Sequence, residues 1–274
     1  MENEMSDQPV LWELDARGVA TVTLNRPKVN NAYNADLVQG VLAAMDALGA
    51  RSELRVVVIR GEGRHFQAGA DLAWLREVSG QSPADNIRAS HITAQAVHRL
   101  NTLPIPTVAL IQGGCFGGGT GIAAACDVVI AADNAMFSIA ETRWGLMAGI
   151  IVPQLNDAIG VRQVRRYALT GERFGAEEAR RIGLVHEVVP LAELEAAGAR
   201  VVDHLLQNAP EATAQTKAVA IEWAWGDVSD RQFARLVEQH AVKRQSAEAS
   251  EGLASFRDKR AAKWYRPPVE SGKA

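Results

Sequence analysis

Aromatic side chains are scarce: Phe, Trp and Tyr together make up 5% of the 274 residues. A core must therefore come from aliphatic side chains, and a 47% hydrophobic content supplies them. Cysteine is nearly absent too. Cys115 and Cys126 are the only two, which excludes a disulfide framework and a cysteine-rich metal site. No apolar run approaches the roughly 18 residues that a membrane span needs. The acidic start Met1-Glu2-Asn3-Glu4 is followed by no apolar h-region, so no secretory leader and a reduced, cytoplasmic setting are expected. Basic excess is lacking as well. Lys+Arg at 29 against Asp+Glu at 32 give a formal net charge of -3, the wrong sign for a protein that neutralises nucleic-acid phosphates. What remains is an aliphatic α/β-type chain, long enough at roughly 150 residues per domain for one large domain or one with an appendage.

Val10–Leu14 and Val19–Leu24 are rich in β-formers and flank the turn Asp15-Ala16-Arg17-Gly18, the pattern of a hairpin. Asn34 stands as an N-cap before the helical stripe Leu37, Val38, Val41, Leu42, Met45 and Leu48. Val56–Ile59 is a continuous β-branched run, as in a strand buried on both faces. Helices are expected over Leu72–Val78 and Ala84–Leu103, and strands over Thr107–Ile111, Asp127–Ala131 and Met136–Ile139. Ile122–Ala125 suits a helix. This alternation indicates a mixed α/β core with crossovers, taken here as residues 1–200. From Val152 onward the pattern is mostly helical, with one extended piece at Leu184–Val189 and helices over Leu191–Gln207, Glu211–Trp225, Asp230–Ala247 and Glu251–Lys263. The helical region 201–274 is expected to pack on the core or on another subunit, and to end in a frayed tail from Arg266.

Two turns carry more glycine and alanine than packing alone requires. Phe66-Gln67-Ala68-Gly69-Ala70-Asp71-Leu72 follows a buried strand and opens a helix; so does Gly113-Gly114-Cys115-Phe116-Gly117-Gly118-Gly119-Thr120-Gly121. A strand-to-helix turn leaves free N–H groups at the positive end of the helix dipole. Small residues let a ligand atom approach that backbone closely. Two such turns facing each other would offer two N–H donors to one developing oxyanion. The second turn is neither a dinucleotide fingerprint nor a P-loop, because the acidic residue that the fingerprint needs and the Lys-Ser/Thr pair that the P-loop needs are both missing.

Phe66-x-Ala68-Gly69-Ala70-Asp71-Leu72, the triplet Gly117-Gly118-Gly119 and the downstream Cys126-Asp127 resemble the crotonase (enoyl-CoA hydratase/isomerase) superfamily. Asn25-Arg26-Pro27 with Asn31-Ala32, and the ending Phe256-x-x-Lys259-Arg260, extend the likeness over roughly residues 10–264. The resemblance implies a ββα superhelix with a helical C-terminal oligomerisation region, forming trimers or dimers of trimers. It implies an acyl-CoA thioester as substrate and neither a metal nor a separate cofactor. It places the thioester oxygen between the amides of Ala70 and Gly118, and lines the CoA with Lys28, Val29, Ala68, Asp71, Leu72, Gly117 and Lys259.

In hydratases of this family two glutamates serve the reaction. One matches Glu141; the other position is Gly121 here. A carboxylate beside the substrate α-carbon can move a proton to or from it, and apolar neighbours should raise its pKa. The run Glu141-Thr142-Arg143-Trp144-Gly145-Leu146 and the later Arg165–Phe174 are similar to bacterial methylglutaconyl-CoA and isohexenylglutaconyl-CoA hydratases, a branch with glycine at the second glutamate's position. A glutaconyl group has a distal carboxylate, which Arg143 can pair with. Trp74 and Trp144 are candidates for the acyl pocket, and Met147, Ile150 and Ile151 for its cap. The resemblance implies hydration of a 3-alkylated glutaconyl-CoA, with a single-glutamate Δ3–Δ2 enoyl-CoA isomerase as the alternative. A silent acyl-CoA-binding or RNA-binding homologue has no use for Glu141. His65, the surface pair His91 and His98, the two cysteines and the basic face Arg162, Arg165 and Arg166 are expected to be structural.

Overall fold

A computed structural model of the chain describes residues 8–224, Val242 and 246–267, with no side-chain description for Phe256 and Arg257. The helix expected over Asp230–Ala247 and the tail beyond Pro267 fall largely outside the described residues. A six-stranded sheet runs in the order β1 (Val10–Leu14), β2 (Val19–Leu24), β3 (Val56–Gly61), β4 (Thr107–Ile111), β6 (Val128–Ala132) and β9 (Glu187–Val189). The β1–β2 hairpin is antiparallel and every other pairing is parallel. A second sheet of three short strands is formed by β5 (Gly114–Phe116), β7 (Met136–Ser138) and β8 (Phe174–Gly175). The helices are α1 (Ala35–Gly49), α2 (Leu72–Ser79), α3 (Pro83–Thr102), α4 (Gly118–Ala125), α5 (Val152–Thr170), α6 (Ala176–Ile182), α7 (Leu194–Gln207), α8 (Pro210–Glu222) and α9 (Ala247–Arg257).

Strand β3 shows why an unbroken apolar run was needed. Val57 and Ile59 point into the cluster that contains Leu37, Val41, Met45 and Leu48 of α1. Val56 and Val58 point the other way, into a cluster closed by Leu194, Ala197, Val202 and Leu206 of α7. Both faces are covered, as parallel sheets require. Asn34 caps α1, its side chain accepting the Leu37 N–H at 3.1 Å. Of the described C-terminal helices α7 packs on the sheet, whereas α8 buries no residue and is tied to the core through Lys217, which pairs with Asp127 at 2.7 Å. Glu248 on α9 accepts the N–H groups of Glu211 and Ala212 at 2.9 Å, which caps α8. Arg55 donates to the Trp264 carbonyl at 2.6 Å, tying the last described segment to the sheet.

Local expectations need correction, among them the helix over Glu251–Lys263, which is found over Ala247–Arg257 and gives way to a turn at Asp258. Helix α4 begins at Gly118, four residues before Ile122, because tertiary packing of the glycine run overrides its poor helix propensity. The extended piece over Leu184–Val189 shrinks to Glu187–Val189: the N–H groups of Leu184 and Val185 turn back onto the Ala179 carbonyl and close α6. Strands β5 and β8 were not foreseen, being only three and two residues long. Among the described residues no helix is long and apolar enough to cross a membrane.

Candidate active site

The two small-residue turns lie side by side. Gln67 pairs with β5: its N–H donates to Gly114 O at 3.0 Å, and its carbonyl accepts Phe116 N–H at 2.9 Å. His65 adds a tie, its Nδ1 accepting the Gly114 N–H at 2.7 Å. That role needs a neutral ring, and burial holds the His65 pKa below its ordinary value. A third segment steadies the first turn. Asn31, fully buried, accepts the Arg26 N–H and donates to the carbonyls of Glu62 and His65 at 2.7–2.9 Å.

Tyr33 follows in the same segment. Its N–H donates to Gly69 O and its carbonyl accepts the Asp71 N–H, both at 2.9 Å. In this parallel bridge the residue between, Ala70, turns its own N–H away from Tyr33. Gly117 N–H is used by Ser138 O at 2.8 Å, whereas Gly118 is the first residue of α4, where an N–H has no intrahelical partner. Among the described residues neither the Ala70 nor the Gly118 N–H donates to a protein group. Both line one cavity of about 320 Å³, together with Ala68, Leu72, Gly117 and Glu141.

Glu141 opens a short 3-10 turn directly after β7. Its Oε2 is buried with no hydrogen-bond partner, and burial raises its pKa above the usual carboxylate range. Gly117 makes this placement possible. Its φ of +50° suits glycine, and a Cβ there would stand 2.9 Å from Glu141 Oε1. Gly121, the expected site of a second carboxylate, faces no open space. A Cβ on it would come 2.2 Å from Ile151 Cγ2, so Ile151 fills the place.

A second cavity of about 300 Å³ meets the first at Tyr33, Leu75, Gly118, Glu141 and Leu146. It is lined mainly by apolar side chains, with Trp74, Met147, Ile150 and Ile151 among them as expected, and among the described residues no lysine or arginine lines it. Arg143 and Trp144 line the first cavity instead. Arg173, which the sequence reading did not single out, joins them there, its guanidinium 5.2 Å from the Phe116 ring centre. Tyr33 and Gln67 were missed as well. The available signals were a tyrosine just before the N-cap Asn34, and a bulky amide in a turn otherwise made of small residues. Tyr33 is pushed up to about 12 by burial and by the nearby Glu141 charge.

Other expected site residues sit around these cavities. Asp71 caps α2 and pairs with Arg26 at 3.1 Å, a structural use of the side chain. Lys28 and Val29 form an exposed turn beside Ala68, whose N–H donates to Asn30 O at 3.0 Å. Lys259 lies in an exposed turn after α9 and lines neither cavity. Burial raises the thiol pKa of Cys115, and raises that of Cys126 to about 12, so both are inert at neutral pH.

Two unpaired amides that line one cavity, one of them at a helix N-terminus, together with a desolvated carboxyl, suit the stabilisation of an oxyanion and proton transfer at a neighbouring carbon. Such an arrangement suits chemistry that passes through an enolate. The family model of enoyl-CoA hydratase/isomerase matches residues 15–267, and the chain belongs to that family. It is similar to a putative enoyl-CoA hydratase of Thermus thermophilus, with 32% identity over 88% of this chain and 95% of that one. It is also similar to a mitochondrial Delta(3,5)-Delta(2,4)-dienoyl-CoA isomerase of Dictyostelium discoideum, with 30% identity over 90% of this chain and 87% of that one. A crystal structure of an enoyl-CoA hydratase from Shewanella pealeana superposes with a TM-score of 0.90 and 30% identity, covering 96% of this chain and 100% of that one. The mixed α/β fold expected from the sequence is thus the crotonase fold.

Proposed function

We propose that the protein hydrates a 3-alkylated glutaconyl-CoA, such as 3-methylglutaconyl-CoA or isohexenylglutaconyl-CoA. The thioester oxygen rests on the amides of Ala70 and Gly118. Water adds at the β-carbon, and Glu141 delivers a proton to the α-carbon. The thioester itself acidifies the α-position, so the reaction calls for no metal and no redox cofactor.

The observation that carries this reading is the pairing of unlike cavities at Glu141. The β-carbon of such a substrate is branched. Its alkyl arm suits the mainly aliphatic cavity, which no lysine or arginine lines among the described residues. Its carboxymethyl arm suits the side where Arg143 and Arg173 stand, neither of them in an ion pair among the described residues. The CoA arm leaves along Ala68 and Leu72. A panel of crotonyl-, 3-methylglutaconyl- and isohexenylglutaconyl-CoA, followed by loss of enoyl absorbance, tests the reading. Arg143→Ala should weaken the glutaconyl substrates roughly ten- to hundredfold more than crotonyl-CoA, the range of a charge-assisted hydrogen bond. Equal loss on all three assigns Arg143 to the CoA instead.

The second reading is a Δ3–Δ2 enoyl-CoA isomerase, favoured by the single carboxylate and by the isomerase among the relatives. Deuterium uptake from D2O with double-bond migration and no water addition would establish it.

A further inference from the structure

With Ile151 filling the space at position 121, a hydratase of this chain must hold its water by other groups. Gly117, Gly118 and Gly119 each face a different polar side chain. A Cβ on Gly117 would stand 2.9 Å from Glu141 Oε1, on Gly118 2.7 Å from Tyr33 Cε1, and on Gly119 2.8 Å from Gln67 Oε1. Consecutive Cα atoms are about 3.8 Å apart, so the three contacts lie along one short stretch of backbone. The triplet is glycine because any side chain there would displace one of them.

Two atoms of this cluster are orphaned. Gln67 is fully buried. Its Oε1 accepts the Gly69 N–H at 2.9 Å, which fixes the orientation of the amide. Its Nε2 is a buried donor without a partner. Glu141 Oε2 is a buried acceptor without a partner. The two do not bond each other, and both belong to residues that line the same cavity, where one bridging water would satisfy both. Tyr33 stands beside them, its ring held edge-on against Trp74 with 5.5 Å between ring centres. All three line the aliphatic cavity, where an ordered water needs two to four polar partners.

We propose that Gln67 and Tyr33, together with Glu141, hold the reacting water in place of the carboxylate that position 121 cannot carry. The inference rests on the hydratase reading. Gln67 Nε2 donates to the water oxygen; Tyr33 Oη accepts one water hydrogen and Glu141 Oε2 the other. The water oxygen bonds to the β-carbon as its O–H bond to the hydrogen facing Glu141 breaks. The electron pair of the double bond moves onto the thioester oxygen, beneath the Ala70 and Gly118 amides. Glu141 then passes that proton to the α-carbon and the carbonyl reforms. One water has added and the carboxylate is restored.

Two rates separate this role from a structural one. Hydration of crotonyl- and 3-methylglutaconyl-CoA needs the water. Exchange of the α-protons of butyryl-CoA in D2O needs only Glu141 and the amides. Tyr33→Phe and Gln67→Met should each lower hydration roughly ten- to hundredfold more than exchange, the effect of losing one buried hydrogen bond. Hydration and exchange falling in parallel, or neither falling, would overturn the inference and leave the hydratase reading standing. A wild-type enzyme that exchanges α-protons yet hydrates neither enoyl thioester would overturn both.

Discussion

Replacing Gly121 with alanine puts a methyl group 2.2 Å from Ile151 Cγ2 and 2.8 Å from Ile151 Cβ. The shorter distance is roughly 1.5 Å below ordinary contact between carbon atoms. Ile151 is 2% exposed and stands just before the first residue of α5, so it can shift only toward the cavity it lines. Overpacking of this kind costs about 1–3 kcal/mol. Ile151→Ala alone removes buried atoms and leaves a cavity, at a cost of about 2–5 kcal/mol. In the double variant the new methyl group occupies part of the vacated space. Its destabilisation should therefore fall short of the sum by about 0.5–3 kcal/mol, the range for residues in contact. Urea unfolding of the four proteins measures this, provided the slopes agree. Additivity within about 0.5 kcal/mol would refute the claim that Ile151 fills the missing carboxylate's place.

Glu141→Gln should lower turnover by about 10²–10⁴-fold, as expected for loss of a general acid–base group. The same change should stabilise the protein at neutral pH by about 0.5–2 kcal/mol, since it removes a desolvated charge; a thermal melt checks it. Because burial raises the Glu141 pKa in the folded state, the protonated form is the one favoured by folding. Its contribution to stability is present at low pH and lost as pH rises through the folded value. The stability gap between wild type and Glu141→Gln should accordingly narrow toward acid pH. In the hydration reaction the carboxylate must first accept a proton, so kcat should fall on the acidic side with a midpoint above that of an ordinary glutamate. A flat profile there would exclude Glu141 as the proton carrier.

Much of the fold was legible because strong periodic signals coincide with burial. Hairpin β1–β2 and strand β4 fall where the β-formers run, and Asn34 announces α1 by its side chain. The placement of Ala70, Gly118 and Glu141 around one cavity was legible from motif resemblance, because small residues at strand-to-helix turns leave a recognisable pattern. The role of Ile151 was not. Nothing in the spacing of positions 121 and 151 shows that they touch. Tyr33 and Gln67 escaped for a related reason. Each acts through a contact with the glycine triplet, which is distant in sequence, and a lone Tyr or Gln carries no periodic signal. The early start of α4 was hidden by glycine's low helix propensity, which the packing of α4 in the interior overrides.

The convergence of two main-chain amides on one acyl oxygen is tested most directly by a crystal structure of the protein with bound butyryl-CoA. The account predicts the thioester oxygen at about 2.7–3.1 Å from the nitrogens of both Ala70 and Gly118, with Glu141 facing the α-carbon. A thioester oxygen bound elsewhere, or an α-carbon turned away from Glu141, would contradict it.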